Sequence, residues 1–294
     1  MSRPRLLTVG EALYDELPSG DALPGGGPFN CAAHCAALGT PSALLTAVGE
    51  DARGDRLVAL AGRLGVDTRL FQRSYLPTGR VAVTLADDGE PDYDIVAPVA
   101  WDLIRYPAPG APDPDPALAA IPGVVAGADA IAVWLLGLRS QVTRATVGQV
   151  LAQAPPRTLR VLDVGLRQNS YDAAGVDWAL RRVTIAKLNE GELATVSALL
   201  GLAPGAEALA GVYELDTLIV TRGAAGASSW RGGGRTDVAA ARAARVVDTI
   251  GCGDGFLAGY LHARLRGDAE GACLGAGAAR GAYVALRRGG LPAG

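Results

Sequence analysis

Apolar residues along this chain fall into short continuous runs separated by stretches with helical spacing, the pattern of strands alternating with helices. Leu6-Leu7-Thr8-Val9 is a run of the first kind and ends at Gly10. After the glycines at 25–27, Pro28 suits the first turn of a helix whose Cys31, Cys35 and Leu38 share a face and whose stop is Gly39. Residues 43–48 predict the next strand, closed by Gly49, and 55–64 a helix with Leu57, Leu60, Ala61 and Leu64 inward. Val66 and residues 70–72 read as strand. From Ala128 the alternation is regular, with strands at 130–136, 159–164, 184–188, 218–221 and 227–230. Helices are predicted at 141–154, 178–182, 190–200 and, rich in alanine and glycine, 268–286. Gly232-Gly233-Gly234 is a turn. Such alternation predicts a mainly parallel sheet covered by helices on both faces, with ligands at the carboxyl ends of its strands.

Two stretches break the rhythm. Between Thr78 and Trp101, Val81, Val83 and Leu85 alternate, Asp88-Gly89 turns, and Tyr93, Ile95 and Val96 follow. That is an antiparallel hairpin with no helix between its strands. Residues 106–122 are proline-rich and read as an extended connection.

Composition narrows the function classes. The 294 residues allow one large domain or two small ones, and an apolar fraction of 49% supports a buried core. A net charge of −3 and the absence of basic runs argue against a nucleic-acid binder and a basic membrane-surface protein. Cys31, Cys35, Cys252 and Cys273 show no paired metal spacing and read as reduced thiols, which predicts a cytoplasmic protein. The apolar run after Arg5 is too short for a signal peptide, and no run is long enough to span a bilayer. Lys187 is the single lysine in an arginine-rich chain.

The chemistry concentrates in DTIGCGDGFLAGYL, residues 248–261. It reads as the end of a strand at Ala244-Arg245-Val246-Val247, a turn through Gly251-Cys252-Gly253, and a helix entered at Asp254. The helix carries Phe256, Leu257, Tyr260, Leu261 and Leu265 on one face. Unpartnered N–H groups at a helix start, flanked by glycines that admit a ligand, make an anion site suited to phosphate. A carboxylate at the mouth of such a site makes sense if it accepts a proton from a hydroxyl attacking phosphorus. Taken alone, Asp254 reads more readily as a plain helix cap. The stretch lacks the Gly-Lys-Ser/Thr of a Walker A loop, and Phe256 stands where a dinucleotide fingerprint needs its third glycine.

A second glycine-plus-polar loop, Gly25-Gly26 with Asn30, lies far upstream. Together the two loops resemble the motifs of the ribokinase, or phosphofructokinase-B, family of sugar kinases. The first matches through Gly25, Gly26, Pro28, Asn30, Ala32, Gly39 and Gly49, the second through Asp248, Thr249, Gly251, Gly253, Asp254, Ala258 and Gly259. Lys187-Leu188-Asn189 with Glu192, and Val220-Thr221-Arg222-Gly223 with Gly226, agree between them, so the likeness runs from about Thr8 to Leu286. Stretches such as GEALYDELP, PTGRVAVTL and LDVGLR look most like bacterial fructokinases of the family, and several are shared with keto-deoxygluconate kinases.

The resemblance implies an α/β fold: a ribokinase-like three-layer α/β/α sandwich with a mainly parallel central sheet and a small β-sheet lid. It implies a single kinase unit over residues 1–294. The large domain takes about 1–10, 25–75 and 107–294, and the lid about 11–24 and 76–106. The activity implied is ATP-dependent transfer of the γ-phosphate to a primary hydroxyl of a small sugar, fructose first. A keto-deoxy sugar acid is the alternative, with Arg80, Arg105 and Arg167 as carboxylate partners. A non-catalytic sugar-binding relative is the rival from another class.

In the implied site Asp254 is the general base, and the amides of Gly251, Cys252, Gly253 and Asp254 form the anion hole. Asp15, Gly25, Gly26 and Asn30 hold the sugar. Arg167 clamps a phosphate or sugar acid, or serves as a surface salt bridge. Lys187, Asn189, Glu192, Thr221, Gly223 and Gly226 serve the nucleotide, Glu192 acting on Mg²⁺ through water. Asp248 and Ile250 hold positions that in some relatives give oxygens to a monovalent cation, K⁺ being the expected one. Two departures stand out. Cys252 replaces the usual Ala or Ser, and a helix start would lower its thiol pKa and make it oxidant-sensitive. Gly165 replaces an Asn common before Leu-Arg in fructokinase-like members. The exposed edge of the lid hairpin predicts a homodimer through paired lids.

Overall fold

The computed structural model describes residues 5–17, 19–85, 91–108, 114–167, 170–243 and 245–293. The chain runs β1 (Leu6–Val9), β2 (Leu13–Glu16), β3 (Ala22–Gly25), α1 (Gly27–Ala37), β4 (Ser42–Gly49), α2 (Ala52–Arg63), β5 (Val66–Asp67), β6 (Phe71–Ser74), β7 (Gly79–Leu85) and β8 (Pro91–Ile95). It continues α3 (Pro116–Gly127), β9 (Ala130–Trp134), α4 (Gln141–Gln153), β10 (Leu159–Asp163), α5 (Ala173–Leu180), β11 (Ile185–Asn189), α6 (Glu190–Leu199) and α7 (Ala206–Val212). The last elements are β12 (Thr217–Thr221), β13 (Ala227–Arg231), β14 (Gly234–Val238), α8 (Cys252–Leu265) and α9 (Glu270–Ala285).

The large sheet has the order β14-β13-β12-β11-β10-β9-β1-β4-β5, with β6 also on β4. Its pairings are parallel except β12–β13 and β13–β14. Alternate residues of each strand point to opposite faces. Leu7, Val9, Ile131, Val133, Leu162, Ala186 and Leu218 pack with Leu118, Val150, Leu180, Val196 and Leu209 of α3–α7. Leu6, Ala130, Ala132, Val161, Ile185 and Ile219 pack with Cys31, Leu257, Leu261 and Leu274 of α1, α8 and α9. The result is the three-layer α/β/α sandwich. The α8–α9 approach is close: a Cβ on Gly259 would stand 2.4 Å from the Ala276 carbonyl oxygen.

A separate sheet, β3-β2-β7-β8, contains the expected hairpin. β7–β8 and β2–β3 pair antiparallel, while β2–β7 is parallel. The turn expected at Asp88-Gly89 lies outside the described residues. Among them, no helix is long and apolar enough to cross a membrane, and all four cysteines are free.

Several sequence expectations are corrected. Residues 116–127 form α3 instead of an extended connection, with Pro116 in the first turn and Pro122 inside the helix. An interior proline costs ~3 kcal/mol, but Leu118, Ile121 and Val125 are buried on one face. At ~1.5–3 kcal/mol each, that burial outweighs the proline. The short α7 had no recognisable periodicity. α5 begins at Ala173, where the Asp172 side chain accepts from Gly175 N–H. Residues 135–139 turn as a 3-10 helix instead of extending β9. The strand expected at 244–247 is absent: Ala244 lies outside the described residues, and Val246 and Val247 are exposed in irregular backbone.

Candidate active site

In the large sheet, β1 is flanked by β4 on one side and β9 on the other, so the strand order reverses there and opens a crevice at the carboxyl ends. Parallel register sets Trp134 and Asp163, the last residues of β9 and β10, in line with Lys187 in the middle of β11. Gly10 and Glu11 leave β1 at the same edge, and the start of α8 faces it.

The α8 N-cap is Gly251, at φ 76°, with no side-chain cap. A Cβ there would lie 2.5 Å from Gly290 Cα, so both backbone conformation and space require glycine. Asp254 is therefore in the first turn and is not the cap. Cys252 N–H donates to Thr249 O. The N–H groups of Gly251, Gly253 and Asp254 have no acceptor among the described residues. These three, at the positive end of a 14-residue helix, are the open anion donors.

The Asp254 carboxylate is aimed by two side chains. Its Oδ2 accepts from Asn30 Nδ2 at 2.9 Å, and its Oδ1 from Trp134 Nε1 at 3.3 Å. Asn30, on α1, is 3% exposed, yet its Oδ1 has no partner among the described residues. A Cβ on Gly25 would lie 3.1 Å from Asp15 Oδ2 and 3.8 Å from Asn30 Oδ1, so both oxygens overlook the same small space. A buried acceptor without a donor is costly, and a hydroxyl group would satisfy it. Residues 15, 25, 30 and 254 thus converge from β2, β3, α1 and α8. Behind them, Arg280 Nε donates to His34 Nδ1, which leaves His34 Nε2–H to donate to Gly290 O at 3.0 Å. That bond holds the C-terminal loop against Asn30 and Gly251.

Burial raises the Asp15 carboxyl to about 6. Arg167 opposes the rise, and Asp254 and Asp248 add to it. Arg167 is exposed and makes no ion pair among the described residues. Arg80 is bound to Glu16, and Arg105 lies 4.0 Å from Asp115. Of these three arginines, only Arg167 acts on the Asp15 carboxyl.

Lys187 Nζ is 2.8 Å from Asp163 Oδ2, with both residues buried. Burial raises Asp163 to about 6, Lys187 acting to lower it. For Lys187, burial lowers the ammonium but Asp163 more than offsets it, so the net shift is upward. A Cβ on Gly253 would lie 3.1 Å from Lys187 Nζ, which puts the ammonium beneath the open amides.

Asn189 and Glu192 form a capping box: Asn189 Oδ1 accepts from Glu192 N–H and Glu192 Oε2 from Asn189 N–H. Glu192 Oε1 accepts from Leu166 N–H, which ties down the loop that carries Arg167. Both Glu192 oxygens thus serve backbone N–H groups, and among the described residues no group of three or more His, Cys, Asp or Glu could hold a metal ion directly. Thr221 sits opposite Asn189 in register. The turn after it takes Gly223 and Gly226 at φ 52° and 95°. A Cβ on Gly226 would meet Val238 O, whereas Gly223 faces open space. Asp248 accepts from Ile250 N–H and Gly289 N–H, clamping the turn before α8 to the C-terminal loop.

The Cys252 thiol departs from the lowered pKa expected of it. Burial first, then Asp248 and Asp254, raise its thiol, the opposite direction from the lowering expected at a helix start.

Sequence reasoning missed Trp134, Asp163 and Glu11. Each stands at a strand end, and that position was the available signal. None belongs to a glycine motif.

A model of the pfkB carbohydrate-kinase family matches residues 14–292. A fructokinase of Salmonella typhimurium is 29% identical over 268 residues, covering 87% of this chain and 83% of that protein. Among solved structures, a Vibrio cholerae O395 fructokinase bound to fructose, ADP and calcium ion superposes with a TM-score of 0.81 at 22% identity, covering 100% of this chain and 96% of that one. A Xylella fastidiosa fructokinase with bound ATP gives 0.82 at 23%, covering 98% and 95%.

Proposed function

Since the chain belongs to the pfkB family of carbohydrate kinases, we propose that it transfers the γ-phosphate of ATP to a primary hydroxyl of a small sugar, fructose first. The observation that carries this reading is Asn30. One end of its carboxamide holds Asp254 and the other is an unpaired acceptor beside Asp15. A polyol seated between Asp15, Gly25 and Asn30 has its hydroxyl delivered to the Asp254 carboxylate. Asp254 takes the proton as oxygen attacks phosphorus. The N–H groups of Gly251, Gly253 and Asp254 take up charge on the transferring group, with Lys187 below them. ATP fits the open amides and the unfilled space at Gly223. Glu192 would help to hold a magnesium ion through water, and the ion would supply charge neutralisation on the nucleotide. Asp248 and Ile250 are the oxygens proposed for a potassium ion. Residues 11–24 and 76–106 serve as the lid over the sugar.

Arg167 favours a second reading. An unpaired guanidinium near Asp15 suits the carboxylate of a 2-keto-3-deoxy sugar acid. A coupled ADP-release screen over fructose, ribose, 2-keto-3-deoxygluconate and adenosine, with and without potassium, separates the two. Fructose should give the highest kcat/KM. A preference for the sugar acid that disappears in Arg167→Ala selects the alternative, and no turnover of any sugar ends the kinase reading in favour of a sugar-binding relative.

The small sheet leaves β3 and β8 as edges, and a second copy covering them would remove the exposed pairing groups. Light scattering at micromolar concentration should therefore show a dimer; a monomer there removes this proposal.

A further inference from the structure

Glu11 follows the Gly10 turn at the end of β1 and is 3% exposed. Its Oε2 has no hydrogen-bond partner among the described residues. Glycine backbone closes around it. A Cβ on Gly26 would lie 2.6 Å from Glu11 O and 3.3 Å from its Cγ, and one on Gly137 4.0 Å from its Oε2. A Cβ on the next residue, Gly27, would lie 3.1 Å from Asp254 Oδ1. The Gly26-Gly27 peptide is thus sandwiched between Glu11 and the proposed base.

The charged groups that act on Glu11 are Asp254 from α8 and Arg167 from the loop after β10. Its own N–H and that of Gly27 are the nearby donors. The 135–139 turn presents Gly137, and the cation of that turn, Arg139, is bound to Asp102. The Trp134 N–H is directed at Asp254. An ionised carboxylate with an oxygen bare of donors, next to a second carboxylate, is disfavoured much more strongly than the neutral acid.

We propose that Glu11 is a positioning residue for phosphate transfer: as an uncharged acid it fixes the Gly26-Gly27 peptide against Asp254, and losing its proton disables the site by setting a second negative charge beside the base. This rests on the kinase reading above. It accords with the raised carboxyl pKa, pushed to about 8 by burial first and Asp254 next, against the pull of the two N–H groups and Arg167.

The test compares wild type, Glu11→Gln and Glu11→Ala. At pH 7 the alanine variant should lose ~10²-fold in kcat, the scale of a small misplacement of reacting groups. The isosteric Gln, which has no proton to lose, should recover most of that loss. Wild-type kcat should fall on an alkaline limb near pH 8, and Glu11→Gln should hold its rate through that limb. The same limb in both proteins overturns the proposal.

Thermal melts give a readout that needs no turnover. Because burial raises this group in the folded state, its stabilising contribution is full below ~4.5, the ordinary Glu pKa, and is lost as pH rises through about 8. The Tm of Glu11→Gln should therefore gain on wild type from pH 5 to 8 and then level. A constant difference overturns the uncharged acid whether or not any sugar is phosphorylated. If the gain is seen but no sugar is turned over, the kinase reading has failed and the positioning role falls with it, while the buried acid stands.

Discussion

Asp254→Asn should lower kcat for the favoured sugar by ~10²–10⁴-fold, the usual share of a general base, with little change in the sugar's KM. Asn fills the same volume but cannot accept a proton at neutral pH. It also changes the local bonding. Asp254 now accepts from both Asn30 Nδ2 and Trp134 Nε1, and one carboxamide oxygen cannot serve both donors in the same geometry. A modest loss of folding stability will accompany the kinetic loss, together with the ~0.3–1 kcal/mol that a carboxylate gains near a helix start. The split between the two readouts decides the role. If Asp254 only steadied the first turn, urea unfolding would register the change and kcat would stay within about threefold. Since Gly251 is the cap, that outcome is not expected, and finding it would remove the base assignment.

Lys187→Met should destabilise the fold by ~3–5 kcal/mol at neutral pH, the cost of breaking a buried ion pair by removing one partner. Lys187 is 5% exposed and Asp163 3%, so water cannot replace the lost ammonium. Asp163 already sits at about 6 with its partner present, raised by burial. Without Lys187 it rises further and must take up a proton to stay buried. A group raised in the folded state loses its stabilising contribution as pH rises through its folded pKa. The deficit of Lys187→Met should therefore be larger at pH 8 than at pH 5, by ~1.4 kcal/mol per pH unit over the titrating range. Adding Asp163→Leu should return part of the stability, because both charges are then gone. Equal urea midpoints for wild type and Lys187→Met at pH 8 would show that the pair supports nothing. The pair also lies under Gly253, so refolded variant enzyme should turn over more slowly as well.

The alternation of strands and helices, both glycine loops and the carboxylate beside the second were legible in the amino-acid order. They depend on local rules: apolar period, helix punctuation, and glycine where backbone must approach a ligand. Where local rules compete with packing, order alone misled. The prolines at 116 and 122 read as breakers, yet the stripe of Leu118, Ile121 and Val125 holds α3 together. Val246 and Val247 read as strand but lack a neighbouring strand to pair with, so they stay irregular and exposed.

Only the tertiary structure decided how the site is assembled. Parallel register, not sequence spacing, lines up Trp134, Asp163 and Lys187. Crossover connections bring Asn30 to Asp254 across 224 residues. The burial of Glu11 comes from two glycine loops folding over one side chain. None of these can be read from a single segment, because each joins residues of separate strands, helices and loops that only the assembled sheet sets side by side.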